Sequence, residues 1–390
     1  MLNLRAFQVP TVVKHAVGAV TCLADEVKAL GVTRPLLVTD QGLVQAGIVD
    51  EAAKVLRSGG VDFVAFDQVA PNPPIALVDA GAAQYRAEGC DGLIGLGGGS
   101  SIDAAKAIGV VVMHGGSIRD YEWADPNPIR RRIPPLVAVP TTAGTGSEVT
   151  LWAVITDPER RIKYNVGGTP LIGPHVALID PVLTVNLPAP VTAGTGMDAL
   201  AHAIECYTCA YAQAWPDAVA LLAMEYVGEY LRIAYAQGHN LEARYKMCMA
   251  AMLGGMAYGT ESAGAAHAMS QTAGGVRDVP HGALTAWLLG PVVEYNAMGE
   301  PRKFARIAQA LGEDVYGLPA WKAAEKAVEA VYRLIHDLNI PSLQQLGFVE
   351  EDIPLLADLA AKDPQTIGNP RDIHLDGYIK LYRRAFELGK

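Results

Sequence analysis

Residues 92–103 read GLIGLGGGSSID, an apolar run from Gly92 to Leu96 that opens into Gly97-Gly98-Gly99-Ser100 and then into helical spacing. A strand that ends in glycines and starts a helix is a phosphate cradle. The glycines let the backbone approach a pyrophosphate, and the helix N-terminus turns unpaired N–H groups and a partial positive charge toward it. Ser100 or Ser101 is placed to cap that helix. The run is not the G-x-G-x-x-G fingerprint of the Rossmann fold, and a purely structural glycine turn looks the same.

On either side of this run, strands alternate with helices. Leu36 to Thr39 is an apolar run ending at Asp40, with a helical segment after it. Val61 to Phe66 reads as a second strand, Gly92 to Leu96 as a third, and Leu136 to Val139, stopped by Pro140, as a fourth. Strands separated by amphipathic helices predict a parallel sheet covered on both faces. The character changes near Asp180-Pro181. Met197 to Tyr211, Pro216 to Tyr235, Leu241 to Gly259, Arg302 to Leu311 and Ala320 to Asp337 all have helical spacing. The expected fold is an α/β dinucleotide-binding domain with a parallel sheet over residues 1–186, then an all-α domain over 187–390. Two domains suit a chain of 390 residues, which is too long for one ordinary core.

A net charge of −10 argues against nucleic acid as a partner, because phosphate neutralisation needs a basic surface. The run Arg130-Arg131-Arg132 reads as a solvated loop. No long stretch is free of charges, so no membrane span or membrane partner is expected. The N-terminal run MLNLRAFQVP lacks the apolar core of a secretory signal. Five scattered cysteines imply reduced thiols and a cytoplasmic address. Cys206 and Cys209 form a C-x-x-C inside a helical pattern without a second pair, which reads as small packing residues.

Pro140-Thr141-Thr142-Ala143-Gly144-Thr145-Gly146-Ser147-Glu148 follows the fourth strand. It offers hydroxyls and flexible backbone at the carboxyl edge of the sheet, where open α/β folds bind ligands. Asp40 is either a helix cap or an acceptor for an adenosine ribose, in which case its charge repels a 2′-phosphate and favours NAD over NADP. Farther along, Asp198 and His202 are four apart in a helical stretch and project from one face. With His267 and His281 they offer one carboxylate and three imidazoles, which read either as a divalent-metal shell without cysteine or as separate surface and core residues. Such donors suit Fe²⁺, Zn²⁺, Mn²⁺, Co²⁺ or Ni²⁺.

With these motifs the chain resembles the iron-containing (group III) alcohol dehydrogenases, nearly end to end. The resemblance rests on Pro71-Asn72-Pro73, GGGSSIDAAKA from Gly97, PTTAGTGSE from Pro140, Ile179-Asp180-Pro181, GMDALAHAIE from Gly196, HAMSQ from His267, Pro280-His281-Gly282 and Asn369-Pro370-Arg371. It implies an active cleft between the two domains and a metal held by Asp198, His202, His267 and His281, usually Fe²⁺ and in some members Zn²⁺. It implies NAD(H) contacts at Asp40, Asn72, Gly98, Gly99, Ser100, Asp103, Thr141, Thr142, Thr150, Lys163 and Leu183, beside Gly97 of the cradle, with Lys163 on the nicotinamide ribose. A homodimer or larger homo-oligomer is the expected assembly.

Two positions depart from the family pattern. Many members carry a second histidine four residues after the third ligand, near the substrate, where this chain has Gln271. Glutamine hydrogen-bonds but does not titrate near neutral pH, so a proton relay through that side chain is in doubt. Arg277 stands where an aromatic residue is common; it either meets an anionic substrate tail or pairs with Asp278 or another surface carboxylate. The expected activity is hydride transfer between a small primary alcohol or aldehyde and NAD(H), with the metal as Lewis acid, His267 and His281 essential, and Gln271 near the reacting atoms. Trp152 and residues after Gly254 are candidates for the substrate pocket. The alternatives are a reductase of a carboxylated substrate on the same scaffold and a catalytically silent NAD-binding protein.

Overall fold

The computed structural model describes residues 7–258 and 263–390. The first six residues of the N-terminal run, and Gly259 at the expected end of one helix, lie outside the described residues. The strands are β1 (Val12–His15), β2 (Pro35–Val38), β3 (Val64–Phe66), β4 (Gly92–Gly97), β5 (Leu136–Pro140), β6 (Trp152–Asp157), β7 (Ile162–Gly167) and β8 (Val176–Ile179). Six of them form one parallel sheet in the order β1-β8-β5-β4-β2-β3, and β6 and β7 form a separate antiparallel hairpin. The expected strand over Val61–Phe66 shrinks to its last three residues. The N–H of Val61 is tied back to Leu56 O at 2.9 Å, so this stretch closes the preceding helix before strand pairing begins. β1, β8 and the hairpin were not anticipated from the sequence pattern.

The chain divides into two compact units, residues 1–142 with 146–185, and residues 143–145 with 186–390. In the first, helices α1 (Leu23–Ala29), α2 (Gln41–Gln45), α3 (Ile48–Ser58), α4 (Ile75–Ala87) and α5 (Gly99–His114) accompany the sheet. Successive strand residues serve opposite faces. Leu36, Val38, Leu93 and Leu136 pack in one core with Val78, Ala104 and Ile108, whereas Leu37, Ile94, Val137 and Val139 pack in another with Leu23, Val27 and Leu56. A sheet buried on both sides explains why these strands read as nearly continuous apolar runs.

The connection leaving β2 runs to β3 on one side, and the connection leaving β4 runs to β5 on the other. β2 and β4 are neighbours, so the crevice beyond their carboxyl ends is a topological switch point, the usual ligand position in such sheets.

The second unit is helical among the described residues. Its helices are α6 (Ala189–Thr208), α7 (Ala214–Ala236), α8 (Leu241–Tyr258), α9 (Ala265–Val276), α10 (His281–Asn296), α11 (Pro301–Ala310), α12 (Ala320–Asp337), α13 (Ile353–Lys362) and α14 (Leu375–Glu387). From Gly196 to Thr208, α6 is buried on every face. A helix without a solvent face has no polar stripe, and its polar residues need partners inside the protein. No helix among the described residues is long and apolar enough to cross a membrane. Cys206 and Cys209 are both buried, as packing residues are.

Candidate functional site

Two glycine- and threonine-rich loops, one after β4 and one after β5, lie side by side next to the switch point. The register of β4 on β5 sets Gly97 opposite Pro140, and the next N–H, Thr141, donates to Gly97 O at 3.0 Å. A Cβ placed on Gly98 would lie 3.3 Å from Thr142 Oγ1, so the two loops are packed side by side. The serine caps expected for α5 are not observed. The helix begins at Gly99, which puts Ser100 and Ser101 inside its first turn, and no described side chain caps it. Uncapped first-turn N–H groups are what an incoming phosphate uses.

Asp40 caps α2, its Oδ1 accepting from Leu43 N at 3.0 Å, while Oδ2 lies 3.5 Å from Ser101 Oγ across the switch point. The cap reading of Asp40 is thus realised at the mouth of the cradle.

The other expected cofactor residues have partners within the protein. Both oxygens of Asp103 are engaged internally, with Ser147 Oγ at 2.5 Å and Val154 N at 2.9 Å. Beside it the buried Lys106 reaches Ser147 Oγ (3.0 Å), Thr150 Oγ1 (3.0 Å) and Trp152 O (2.7 Å). Asp103 and Lys106 therefore brace the 147–154 segment, Thr150 included. Burial lowers Lys106 to about 8 and raises the Glu148 carboxyl to about 7. Lys106 was passed over in the sequence; a lysine within the otherwise apolar DAAKAIGV run was the signal. Lys163 is buried in β7 opposite Thr156, and Asn72 turns with φ of 56° where Thr156 N meets Pro73 O. Leu183 packs in the apolar core.

In the helical unit, α6 carries Asp198 and His202, α9 carries His267 near its start, and α10 begins at His281. Ligand atoms of Asp198, His267 and His281 lie within 4.8 Å of one another. Asp198 Oδ1 is 3.6 Å from His267 Nε2 and 3.6 Å from His281 Nε2. His202 adjoins this set without completing it: its Nδ1 is 3.9 Å from Asp198 Oδ2, and its ring lies 4.3 Å from that of His267. Tyr258 packs on both rings, at 5.1 and 6.3 Å. Close helix packing positions the set. A Cβ on Gly282 would lie 2.7 Å from Gly194 O, so only glycine lets α10 approach α6 beside His281.

The charges of the cluster act strongly on one another. Burial alone would raise the Asp198 carboxyl, but the imidazoles of His202, His281 and His267 hold it well below the usual carboxylate range. Burial, with His267 beside it, pushes His202 down to about 4. Burial also opposes protonation of His267, yet the carboxylates of Glu205 and Asp198 outweigh it and push that group up to about 10. Asp198 Oδ1, His202 Nδ1 and His267 Nε2 are buried atoms without a hydrogen bond among the described residues. Buried polar atoms are normally satisfied, and a carboxylate oxygen facing imidazole nitrogens is satisfied by a divalent ion. The residues present therefore fit a metal such as iron or zinc.

Gln271, one turn beyond His267, is buried and accepts from Gln365 Nε2 at 3.0 Å, while Gln365 N donates to Asp363 Oδ1. Burial pushes the Asp363 carboxyl up to about 6. Arg277 pairs with Asp352 at 3.0 Å and lies over the Phe348 ring, which realises the surface-carboxylate reading of that arginine.

Comparison with known proteins gives a consistent picture. A family model described as iron-containing alcohol dehydrogenase matches residues 10–181, and one described as Fe-containing alcohol dehydrogenase family, C-terminal, matches residues 192–386. A choline dehydrogenase of Bacillus subtilis (strain 168) is 53% identical over 389 residues, covering 100% of this chain and 96% of that protein. An NAD-dependent methanol dehydrogenase of Bacillus methanolicus is 41% identical over 369 residues, covering 94% and 96%. The crystal structure of a 1,3-propanediol oxidoreductase superposes with a TM-score of 0.95 at 40% identity, over 98% of this chain and 100% of that one.

Proposed function

The chain belongs to the iron-containing alcohol dehydrogenase family of oxidoreductases, and from that premise we propose that it interconverts a small primary alcohol and its aldehyde with NAD(H). The observation that carries this reading is the convergence of buried Asp198 and His267 with half-buried His281, and with His202 alongside, on α6, α9 and α10. These four residues would hold a divalent ion, iron first and zinc as a substitute. When bound, the ion supplies Lewis-acid charge for a substrate oxygen, and the nicotinamide supplies the hydride acceptor or donor.

The chain's own groups have defined tasks in this reading. The first-turn N–H groups of α5, with Gly97, Gly98, Gly99 and Ser100, bind the pyrophosphate. Thr141 and Thr142 border it. Asp40 keeps Oδ2 available to a ribose hydroxyl and repels a 2′-phosphate. Gln271 orients through hydrogen bonds and moves no proton near neutral pH, so the proton leaving the hydroxyl passes to solvent or to another group.

Within this class the B. subtilis relative, named for choline, supports a primary alcohol that carries a fixed cation. Gln271 is neutral where many members have a histidine, and Arg277 is engaged with Asp352, so neither argues against an ammonium group. The same pairing leaves little support for a carboxylated substrate. The test is NADH formation from choline, ethanol, 1,3-propanediol and a 2-hydroxy acid, with protein loaded with Fe²⁺ or Zn²⁺ and with protein stripped of metal. Metal-dependent turnover of primary alcohols, with choline giving the highest kcat/KM, is expected. Equal turnover in verified metal-free protein overturns the metal role, and turnover of the hydroxy acid alone overturns the substrate class.

A further inference from the structure

We infer that Glu205 is a positioning residue for the metal site: it fixes the His267 ring and holds a proton on Nδ1, so that Nε2 presents a lone pair to the cation. The inference rests on the proposed metal site and goes beyond its four ligands. Glu205 lies on α6 seven residues after Asp198 and three after His202, in the same stripe of that buried helix. Its Oε2 pairs with His267 Nδ1 and lies 3.3 Å from His267 N, and its Oε1 accepts from Ala266 N at 2.7 Å. Both side chains are almost completely buried, at 3% and 4% exposure, so water does not compete for the pair.

The surroundings are built for this contact. A Cβ on Gly264 would lie 2.9 Å from Glu205 Oε1, so glycine at the N-cap of α9 is what admits the carboxylate. The Gly264 N-cap has no side-chain cap of its own; the helix start is instead satisfied from outside, by Glu205 and by Asn369 Oδ1 on Ala265 N. Asn369 is in turn locked in a reciprocal amide pair with Asn296, at 2.8 and 2.9 Å. One carboxylate thus orients a backbone turn and a ring together.

The chemistry follows from proton inventory. A carboxylate only accepts, so the facing Nδ1 must keep its proton; a ligand imidazole is neutral, so any second proton leaves from Nε2, which is then bare. His267 Nε2 is the atom that faces Asp198 Oδ1. Glu205→Gln changes this logic at nearly constant volume. Its amide oxygen stays on Ala266 N–H, and its NH₂ faces Nδ1 and demands an acceptor. The proton then moves to Nε2, where it blocks coordination. Glu205→Asp keeps the charge but is one methylene shorter.

The test measures Zn²⁺ affinity by competition with a chromophoric chelator, and the visible spectrum of the Co²⁺-loaded protein, for wild type and both variants. Glu205→Gln is expected to bind Zn²⁺ about 10- to 100-fold more weakly and to shift the Co²⁺ bands, with Glu205→Asp between it and wild type and NADH affinity unchanged. Binding within about threefold of wild type with an unchanged Co²⁺ spectrum overturns the inference while leaving the metal site standing. A wild-type protein that takes up no ion removes the metal site and the inference together. If Glu205→Gln does not fold, a crystal structure of Zn²⁺-loaded wild type decides: the ion on His267 Nε2 with Nδ1 against Glu205 supports it, and the ion on Nδ1 or Glu205 turned away overturns it.

Discussion

The two units build their candidate sites from different materials. The α/β unit uses backbone: uncapped N–H groups at the start of α5, glycines packed against Thr142, and a carboxyl edge made by neighbouring parallel strands. The helical unit uses side chains: a carboxylate and imidazoles on three helices, drawn together by packing so close that Gly282 meets Gly194 backbone to backbone. A backbone site tolerates many side chains but not a Cβ in its cradle. A side-chain site tolerates change around it but not the loss of a donor. Each site should therefore fail alone.

Replacing His281 with alanine is the most severe test. Turnover falls beyond the 10- to 100-fold that loss of an outer partner typically costs, while NADH binding, followed by fluorescence, stays within about twofold. Parallel loss of NADH binding would mean the two sites are not separable. Gly98→Val is the converse. Its methyl groups enter space bounded by Thr142, so NADH affinity drops by at least about tenfold, or 1.4 kcal/mol, while metal content by elemental analysis is unchanged. Asp40→Gly is milder. Glycine at a helix cap costs only a few tenths of a kcal/mol, so the cofactor preference can be read cleanly, and the ratio of kcat/KM for NADP over NAD is expected to rise about tenfold. An unchanged ratio removes Asp40 from ribose recognition.

A last effect is read in stability and leaves both sites untouched: a slope with pH. Burial raises Glu148 to about 7 from its ordinary 4.5, so between those values the folded protein holds a proton that the unfolded chain has lost. Stability then falls as pH rises through that window. In thermal melts, Glu148→Gln should lack this slope, so its advantage over wild type grows from pH 4.5 to 7 and levels off above. Parallel melting curves for the two proteins would contradict it.

The same contrast explains what was legible in the sequence. A backbone cradle leaves its mark locally, as GLGGGSS after an apolar run, and the strands around it are continuous apolar stretches because both sheet faces are buried. Strand β1 escaped notice because it is short and mostly exposed, and the β6–β7 hairpin because it lies outside the sheet. The metal donors are scattered over more than eighty residues, and only the Asp198/His202 spacing is local; the rest depended on likeness to a family. Glu205 ends the GMDALAHAIE run, where nothing in its neighbours assigns it a role. Its place in the Asp198–His202 stripe of a helix that lacks a polar face was the available sign. The serine caps failed because α5 starts one residue before Ser100, a boundary that residue identities do not set.

The central claim is tested most directly by titrating metal-stripped protein with Fe²⁺ under anaerobic conditions while NADH formation from a saturating primary alcohol is followed. The account predicts negligible turnover without the ion and a rise that saturates at one ion per chain, absent in His267→Ala. Full turnover before any ion is added, or activation that survives His267→Ala, would contradict it.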